Sequence, residues 1–247
     1  CYIDDVKGIP SYAKLAAQIV AAIIVVAFGI KIEDISIPFI ESKIEIGGVF
    51  SYILTVCWII GITNAINLID GLDGLSSGVT LISCLSLLMV FALNGSPLIA
   101  IILITALAGA IVGFLPFNFS PAKTFIGDTG SNFMGFSLAI ISILGVAKTY
   151  TALVLIAPII ILAMPIFDTL FAIFRRIIKG KSLKAVFKPD KGHIHHKLMA
   201  KGYTQKQAVL IMYGITAILG MFAVILLESG IWKALSFALL ILAIVAI

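Results

Sequence analysis

Long apolar runs separated by short polar segments make up most of the chain. A window of about 19 residues identifies membrane-spanning helices, and here it finds apolar stretches near 13–30, 49–66, 75–93, 98–115, 132–147, 151–172, 207–227 and 231–247. A spanning helix needs about 20 such residues, so the shorter stretches require a locally thinned bilayer. The pattern predicts an all-α integral membrane protein with about eight transmembrane helices, forming one domain over residues 1–247. Between the first two stretches, residues 31–48 alternate apolar and polar positions, which predicts a small β-hairpin.

Composition strengthens the membrane prediction. The chain is 61% hydrophobic and 12% charged, and its mean hydropathy is +1.20, which is far above the value for a soluble protein. The three cysteines are odd in number and form no CxxC, which argues against a disulfide framework and a thiolate metal site. The chain begins at Cys1, which runs directly into Tyr2, Ile3 and Asp4 without a flexible tether. We therefore expect a fragment that lacks its N-terminal part.

Basic residues divide unevenly between the two sides that eight alternating helices define. Thirteen fall on one side and four on the other, and Lys and Arg concentrate on the cytoplasmic side. The thirteen are Lys7, Lys14, Lys123, Arg175, Arg176, Lys179, Lys181, Lys184, Lys188, Lys191, Lys197, Lys201 and Lys206; the four are Lys31, Lys43, Lys148 and Lys233. The predicted cytoplasmic side also gathers seven aspartates: Asp4, Asp5, Asp70, Asp73, Asp128, Asp168 and Asp190. Because Asp holds its carboxylate close to the backbone, this grouping suggests a rigid polar site.

The segment 64-NAINLIDGLDGLSSG-78 is the clearest candidate site. Asn67, Asp70 and Asp73 recur every three residues, which predicts one side of a helix or a tight helical turn. Gly71 and Gly74 lie between them, and glycine allows a backbone or a ligand to approach closely. The alternative is that one of the aspartates caps the helix that begins near residue 75. A single cap does not require two aspartates, an asparagine and three glycines, so we favour a site.

Two further segments on the predicted cytoplasmic side have similar character. In 3-IDDVKGIPSYAK-14, Asp4 and Asp5 precede a turn, and Lys14 opens the next apolar stretch. In 123-KTFIGDTGSNFMGF-136, Asp128 lies between two glycines just ahead of a predicted helix. Asp128 is either an ordinary N-cap or part of a turn that binds an anion at a helix start.

The segment 175-RRIIKGKSLKAVFKPDKGHIHHKLMAKG-202 is the most basic part of the chain. Most of its lysines are explained by positive-inside orientation and attraction to lipid headgroups. The only three histidines of the chain, His193, His195 and His196, lie here within four residues. Zinc binding is one interpretation, but the segment has neither a cysteine partner nor an HExxH helix. Contact of imidazole and ammonium groups with phosphate fits better.

Carboxylates and phosphates repel one another unless a divalent cation lies between them. Oxygen ligands favour Mg²⁺ or Mn²⁺, which neutralises charge as a diphosphate is broken. The apolar helices would hold a lipid whose phosphate lies at headgroup depth. The sequence therefore predicts phosphoryl transfer between a soluble nucleotide and a membrane lipid.

The four motifs IDDVKGIPSYAK, NLIDGLDGLSSG, FIGDTGSNFMGF and PDKGHIHHKL occur in this order. They resemble the four cytoplasmic signatures of the polyprenyl-phosphate N-acetylhexosamine-1-phosphate transferases, glycosyl transferase family 4. The last motif and 165-PIFDTLFAIFRR-176 resemble the bacterial undecaprenyl-phosphate GlcNAc-1-phosphate transferase branch. Members with eleven helices would place the double-Asp motif after the third helix, in agreement with a truncated chain that carries eight.

The resemblance implies transfer of GlcNAc-1-phosphate from UDP-GlcNAc to undecaprenyl phosphate, with UMP as the second product. This would be the first membrane step of a teichoic acid or O-antigen type polymer. The implied metal ligands for Mg²⁺ are Asp128 and Asp70. The implied catalytic residues are Asp4, Asp5, Asp70, Asp73 and Asp128, and the implied substrate-binding residues are Lys14, Asn67, His193, His195 and His196. Direct attack by the lipid phosphate is favoured over a covalent phospho-enzyme.

The resemblance also sets the expected location and the alternatives. We expect a multi-pass protein of the bacterial plasma membrane with its active site facing the cytoplasm, and family members are often homodimers. The peptidoglycan branch, which uses UDP-MurNAc-pentapeptide, has three successive histidines where this chain has His193, Ile194, His195 and His196. A secondary transporter of anions is an alternative of another class, although transporters place their charges near mid-membrane on broken helices.

Overall fold

The fold is a bundle of helices with one small β-hairpin. The computed structural model describes residues 10–32, 34–36, 43–45, 48–146, 152–180 and 192–246. In chain order its elements are α1 (Ser11–Ala27), β1 (Asp34–Ser36), β2 (Lys43–Glu45), α2 (Val49–Leu68), α3 (Leu75–Leu93), α4 (Leu98–Asn118), α5 (Gly127–Val146), α6 (Ala152–Ile161), α7 (Ala163–Gly180), α8 (Ile194–Ala200) and α9 (Gln205–Ala246). The predicted hairpin is confirmed, because β1 pairs antiparallel with β2 and Ile35 lies opposite Ile44.

Five helices of the described chain, α2, α3, α4, α5 and α9, are long and apolar enough to cross a bilayer. Helices satisfy their own backbone hydrogen bonds, which lipid cannot do. Helix α1 is apolar but shorter, with 17 residues. The architecture is that of a helical integral membrane protein, and the total of eight spans stays a prediction.

The apolar stretch near 151–172 is divided into α6 and α7, which meet at Leu162. Pro165 lies in the first turn of α7. Proline has no N–H to bond the carbonyl four residues earlier, so it is tolerated in a first turn and disrupts a continuous helix. The sequence carried this signal within the predicted span.

The last two predicted spans lie in α9, where Gly230 adopts a non-helical backbone with φ 78° and ψ 177°. The break therefore falls between the two predicted stretches. A positive φ of this size favours glycine.

The core forms where α2, α3 and α5 pack together. Ile62, Ile66, Leu87 and Leu138 are fully or almost fully buried there. Helix α1 packs on α2, α4 and α9 pack on α3, and α7 also contacts α2. This arrangement brings the first turns of α1 and α5 beside the last turn of α2, at one end of the bundle.

Candidate active site

Three helix ends bring Lys14, Asn67 and Asp128 together. Lys14 Nζ of α1 lies 2.5 Å from Asp128 Oδ2 of α5. From the last turn of α2, Asn67 Nδ2 donates to Asp128 Oδ1 at 3.2 Å and to the hydroxyl of Ser131 at 2.9 Å. The Lys14 and Asp128 side chains are 28% and 35% exposed, so a ligand can still reach both. We name this group the three-helix cluster.

Helix α5 begins five residues before the apolar stretch predicted at 132–147. It starts at Gly127, so Asp128 lies inside its first turn rather than ahead of the helix. The polar residues of this turn carry no hydropathy signal. A carboxylate in the first turn interacts favourably with the N-terminal end of the helix dipole.

Of the two arrangements predicted for Asn67, Asp70 and Asp73, the structure shows a tight turn at the end of a helix and not one shared helical face. Helix α2 ends at Leu68, and the Gly71 N–H bonds the Ile69 carbonyl at 2.8 Å, which closes a tight turn. The side chains consequently reach different partners. Asp70 Oδ1 accepts from the Ser76 hydroxyl at 2.6 Å, whereas Asp73 Oδ2 accepts from the Ala122 N–H at 3.2 Å.

The capping interpretation of this segment is wrong. The N-cap position of α3 is Gly74, and no side chain caps that helix. Asp73 instead ties the loop after α2 to the loop after α4. Gly78 provides a close approach nearby, because a Cβ there would occupy the position of the Tyr213 ring, whose hydroxyl donates to the Gly74 carbonyl.

Asp70 lies in a partly dehydrated environment. Burial raises its pKa to about 6, the Ser76 hydrogen bond opposes the rise, and the negative charge of Asp128 adds to it. The charged form of Asp70 is less stable in this environment than it would be in water. The charge interaction also shows that Asp70 lies in the electrostatic field of Asp128.

A buried carboxylate fixes the histidine segment on α7. The Asp168 side chain accepts from the Ile194 N–H at 2.9 Å and lies 2.8 Å from His193 Nδ1. Arg175 Nη1 also donates to the Gly192 carbonyl at 2.9 Å. The start of α8 is therefore held by two side chains of α7.

His195 has a different environment. It is 1% exposed, and neither ring nitrogen has a hydrogen-bond partner among the described residues. Its ring packs on Gly71, where an added Cβ would come 2.5 Å from Nε2. Burial lowers the pKa of His195 to about 4, and positive charge on His196 and His193 adds to the effect. His195 is consequently a neutral imidazole at neutral pH.

His193, His195 and His196 lie together. The rings of His195 and His196 are 4.2 Å apart between centroids, and those of His193 and His195 are 5.7 Å apart. Through Gly71, this histidine cluster contacts the same loop that carries Asp70. The structure therefore brings the predicted histidines beside the predicted aspartates.

The donor set distinguishes between the metals considered. Within the described ranges, no three His, Cys, Asp or Glu side chains are placed to hold a metal ion. A structural or catalytic zinc takes three or four protein ligands. Mg²⁺ takes one or two carboxylates and completes its shell with water and substrate phosphates. Asp128 and Asp70 fit Mg²⁺ in this respect.

A groove of about 330 Å³ borders the three-helix cluster between α1, α2 and α7. Its polar lining residues are Lys14, Gln18, Asn64, Asn67, Thr169 and Arg176, together with Ser11. Apolar side chains such as Leu15, Ile60 and Ile173 complete the wall. The groove is amphipathic, and Lys14 and Asn67 of the cluster form part of its lining.

A family model for glycosyl transferase family 4 matches residues 1–146, which include α1 to α5. The chain belongs to glycosyl transferase family 4. The family and branch recognised from the four motifs are confirmed by this match and by the relatives.

Bacterial relatives of this family match most of the chain. A probable undecaprenyl-phosphate N-acetylglucosaminyl 1-phosphate transferase of Bacillus subtilis is 45% identical over 94% of this chain and 64% of its own length. A decaprenyl-phosphate N-acetylglucosaminephosphotransferase of Mycobacterium tuberculosis is 36% identical over 85% of this chain and 56% of its own length. A phospho-N-acetylmuramoyl-pentapeptide-transferase of Listeria monocytogenes is a more distant relative, 35% identical over 84% of this chain and 62% of its own length. The chain thus spans about three fifths of the length of these relatives.

Some members of the site predicted for this family 4 chain lie outside the described residues. They are Asp4 and Asp5. Asp190, which the sequence places beside the histidines but which was not among the predicted site residues, also lies outside them. Asp168 was missed as a site residue, although a carboxylate within an apolar segment was a signal for it. Ser76 and Ser131 were missed because only the folded chain brings them to Asp70 and Asn67.

Proposed function

We propose that the full-length protein transfers GlcNAc-1-phosphate from UDP-GlcNAc to undecaprenyl phosphate, yielding undecaprenyl-diphosphate-GlcNAc and UMP. The observation that carries this proposal is the meeting of Lys14, Asn67 and Asp128 beside an amphipathic groove, which Lys14 and Asn67 line. A lipid phosphate requires an apolar path for its chain and a polar site for its headgroup. The names of the Bacillus and Mycobacterium relatives support the GlcNAc donor and the polyprenyl acceptor.

In the proposed reaction, an oxygen of the lipid phosphate attacks the phosphorus that carries the sugar. The bond from that phosphorus to the bridging diphosphate oxygen breaks, and UMP leaves with the bonding electrons. The nucleophile is already anionic, so the protein chiefly has to position it and balance charge. Lys14 binds the lipid phosphate in this scheme, and Asn67 fixes the orientation of Asp128. A phosphorylated aspartate detected during turnover would contradict direct attack.

Asp128 and Asp70 are the proposed ligands of Mg²⁺, with Mn²⁺ as a substitute, and the bound ion would neutralise charge on the donor diphosphate. Asp73 holds the loop that carries Asp70 through its bond to Ala122. His195 presents a neutral, dehydrated imidazole beside that loop. A neutral imidazole suits a hydrogen bond to the uridine or sugar of the donor better than an ion pair with phosphate.

The proposal includes the location of the site. The distribution of Lys and Arg supports a cytoplasmic active site in the plasma membrane of a bacterium. Soluble UDP-GlcNAc is then available on the same side as the acceptor headgroup. The lipid-linked product would begin a cell-envelope polysaccharide of teichoic acid or O-antigen type.

The test is UMP release by the full-length protein in detergent with undecaprenyl phosphate, Mg²⁺ and either UDP-GlcNAc or UDP-MurNAc-pentapeptide. We expect UMP from UDP-GlcNAc only when both lipid and metal are present. Lys14→Gln should lower the rate about 100-fold, the size expected for loss of one preorganised charge. Lys123→Gln is the matched control, because Lys123 is exposed and should leave the rate unchanged.

Three other outcomes would each correct the proposal. Release only from the pentapeptide nucleotide would assign the peptidoglycan reaction. Absence of UMP with either donor would reopen the transporter alternative. An equal loss of the rate of UMP release in Lys14→Gln and Lys123→Gln would show that Lys14 does not act in the reaction centre.

A further inference from the structure

A second polar layer lies one helical turn away from the three-helix cluster. Gln18 follows Lys14 by four residues on α1, Asn64 precedes Asn67 by three on α2, and Asn132 follows Asp128 by four on α5. Residues three or four apart share a helix face and are separated by about 4.5–6 Å along the axis. In each helix the amide lies further from the helix end than its cluster partner. Gln18, Asn64 and Asn132 are named the amide triad here.

The amide triad is closed by its own hydrogen bonds. Gln18 Nε2 donates to Asn132 Oδ1 at 2.7 Å, and Asn64 Nδ2 donates to Gln18 Oε1 at 2.7 Å. The remaining amide groups reach their own helices: Asn132 Nδ2 donates to the Asp128 carbonyl at 2.6 Å, and Asn64 Nδ2 also reaches the Ile60 carbonyl at 2.8 Å. Gln18 therefore joins α1 to both α2 and α5 beneath the cluster.

We propose that Gln18 is a positioning residue for the reaction, because its bonds to Asn64 and Asn132 set the placement of Lys14 relative to Asp128. This inference rests on the proposed function and assigns a role to a residue that makes no contact with the reacting atoms. Lys14 and Gln18 share a face of α1, so a shift of Gln18 moves the ammonium group as well. A displacement of 1 Å between reacting groups can lower a rate about 100-fold.

Two alternatives make different predictions. Gln18 also lines the groove, but its carbonyl and amide groups are already bonded to protein partners, which leaves little capacity for an acceptor phosphate. The triad could also serve only to hold helices together, since interhelical amide bonds stabilise membrane proteins. A purely structural role would change stability without a selective effect on Lys14.

The test compares Gln18→Leu with Ser142→Ala in the full-length protein. Trp58 Nε1 donates to the Ser142 hydroxyl at 3.0 Å, so the control also breaks a bond between helices, here α2 and α5. Ser142 lies 14 residues beyond Asp128 on α5, about 21 Å along the helix. We expect Gln18→Leu to lower kcat roughly 10- to 100-fold with little change in the KM for UDP-GlcNAc. Ser142→Ala should keep the kcat of the unchanged protein.

A second measurement requires no turnover. Lys14 is paired with Asp128, and loosening of α1 should make its amine react faster with acetic anhydride, as followed by mass spectrometry of the peptide. The exposed Lys123 supplies the internal reference. We expect faster labelling of Lys14 in Gln18→Leu and an unchanged ratio in Ser142→Ala.

Asn132→Leu breaks the same bond from α5 and replaces Gln18→Leu if that variant does not fold. The loss in the double variant should be smaller than the product of the two single losses, because the two substitutions share the bond between Gln18 and Asn132. An unchanged labelling ratio in both single variants, or a kcat that falls only with the folded fraction, would overturn the inference. Inactivity of the unchanged protein with UDP-GlcNAc would instead reject the proposed function. The labelling result would still decide whether Gln18 sets the placement of Lys14.

Discussion

The two halves of the candidate site are built in opposite ways. In the three-helix cluster, Asp128 already bonds Lys14 and Asn67, and all three residues stand on long helices. The histidine segment stands on the seven-residue α8. There His193 is tied to Asp168, whereas both nitrogens of His195 have no hydrogen-bond partner among the described residues. The three-helix cluster is charged, and its side chains bond one another. The histidine segment presents a neutral imidazole whose nitrogens have no hydrogen-bond partner among the described residues.

This difference separates two tasks. Charges on rigid helix ends are preorganised, so they stabilise a transition state with little reorganisation. A buried imidazole without a hydrogen-bond partner costs free energy, and a ligand that pairs with it recovers that cost. Under the proposed function, the three-helix cluster would balance charge and His195 would recognise the donor.

The largest expected effect comes from the charged half. Asp128→Asn keeps the size of the side chain and removes its charge. The variant should lower kcat about 1000-fold, since a removed preorganised electrostatic group costs about 100- to 1000-fold in rate and this one is also a proposed metal ligand. Initial rates of UMP release across a Mg²⁺ titration measure the effect.

Glu228→Gln is the matched control for that substitution, because Glu228 is an exposed acid on α9 and lies near the break at Gly230. It should leave both the rate and the Mg²⁺ requirement unchanged. Full activity of Asp128→Asn with an unaltered Mg²⁺ requirement would remove Asp128 from the metal site and would weaken the division between the two halves.

A smaller and different effect is expected from the neutral half. His195→Ala should lower kcat/KM for UDP-GlcNAc about 100-fold, mostly through KM, because a lost hydrogen bond to substrate affects binding before chemistry. Steady-state rates at varied donor concentration test this. A change confined to kcat would mean that His195 acts on the transition state, and the proposed division of tasks would be wrong.

Gly71→Ala tests the same half without touching the imidazole. The added methyl group would come 2.5 Å from His195 Nε2, so the ring must shift. We expect a KM increase of about tenfold, less than for His195→Ala, since a displacement near 1 Å is costly but partly absorbed. Gly109→Ala is the control, because Gly109 of α4 does not line the groove and a Cβ there meets nothing within 4 Å. Equal behaviour of the two alanine variants would show that the His195 position does not matter.

Sequence predicted most of this fold because hydropathy marks helices that lie in lipid. The starts of α3 and α4 agree with the predicted stretches. The start of α5 was missed because Asp128 and its polar neighbours have no hydropathy signal. The division at Leu162 was readable from Pro165, whose missing N–H interrupts a helix.

The candidate site was predicted as a set of residues and not as an arrangement. Spacing suggested one helical face or a tight turn for Asn67, Asp70 and Asp73, and the turn at Gly71 directs their side chains to separate partners. The link between Asp168 and His193 spans 25 residues and depends on how α8 packs on α7. Local patterns contain no information about such packing. The sequence therefore predicted which residue types form the site, and only the fold shows which of them bond to one another.

The smallest expected effect concerns stability, and it follows from the pKa of His195. The pKa falls from the ordinary 6.5 to about 4, through burial first and then through His196 and His193, while Asp168 opposes the change. Between these values the unfolded chain binds more protons, so protonation favours unfolding. The contribution of neutral His195 to stability is therefore complete above pH 6.5 and is lost as the pH falls toward 4. At 1.36 kcal/mol for each pKa unit, its upper limit is about 3 kcal/mol.

Thermal unfolding of the full-length protein in detergent between pH 7 and pH 4 measures this contribution. His195→Leu keeps an apolar group against Gly71 and removes the titration, so its Tm should fall less steeply with decreasing pH than that of the unchanged protein. Ser142→Ala, which breaks a bond far from the histidines, should keep the original slope. If the Tm of His195→Leu and that of the unchanged protein fall equally steeply with decreasing pH, water or another polar group must contact the His195 ring. His195 would then be a solvated histidine, and the contrast between the charged and the neutral half of the site would disappear.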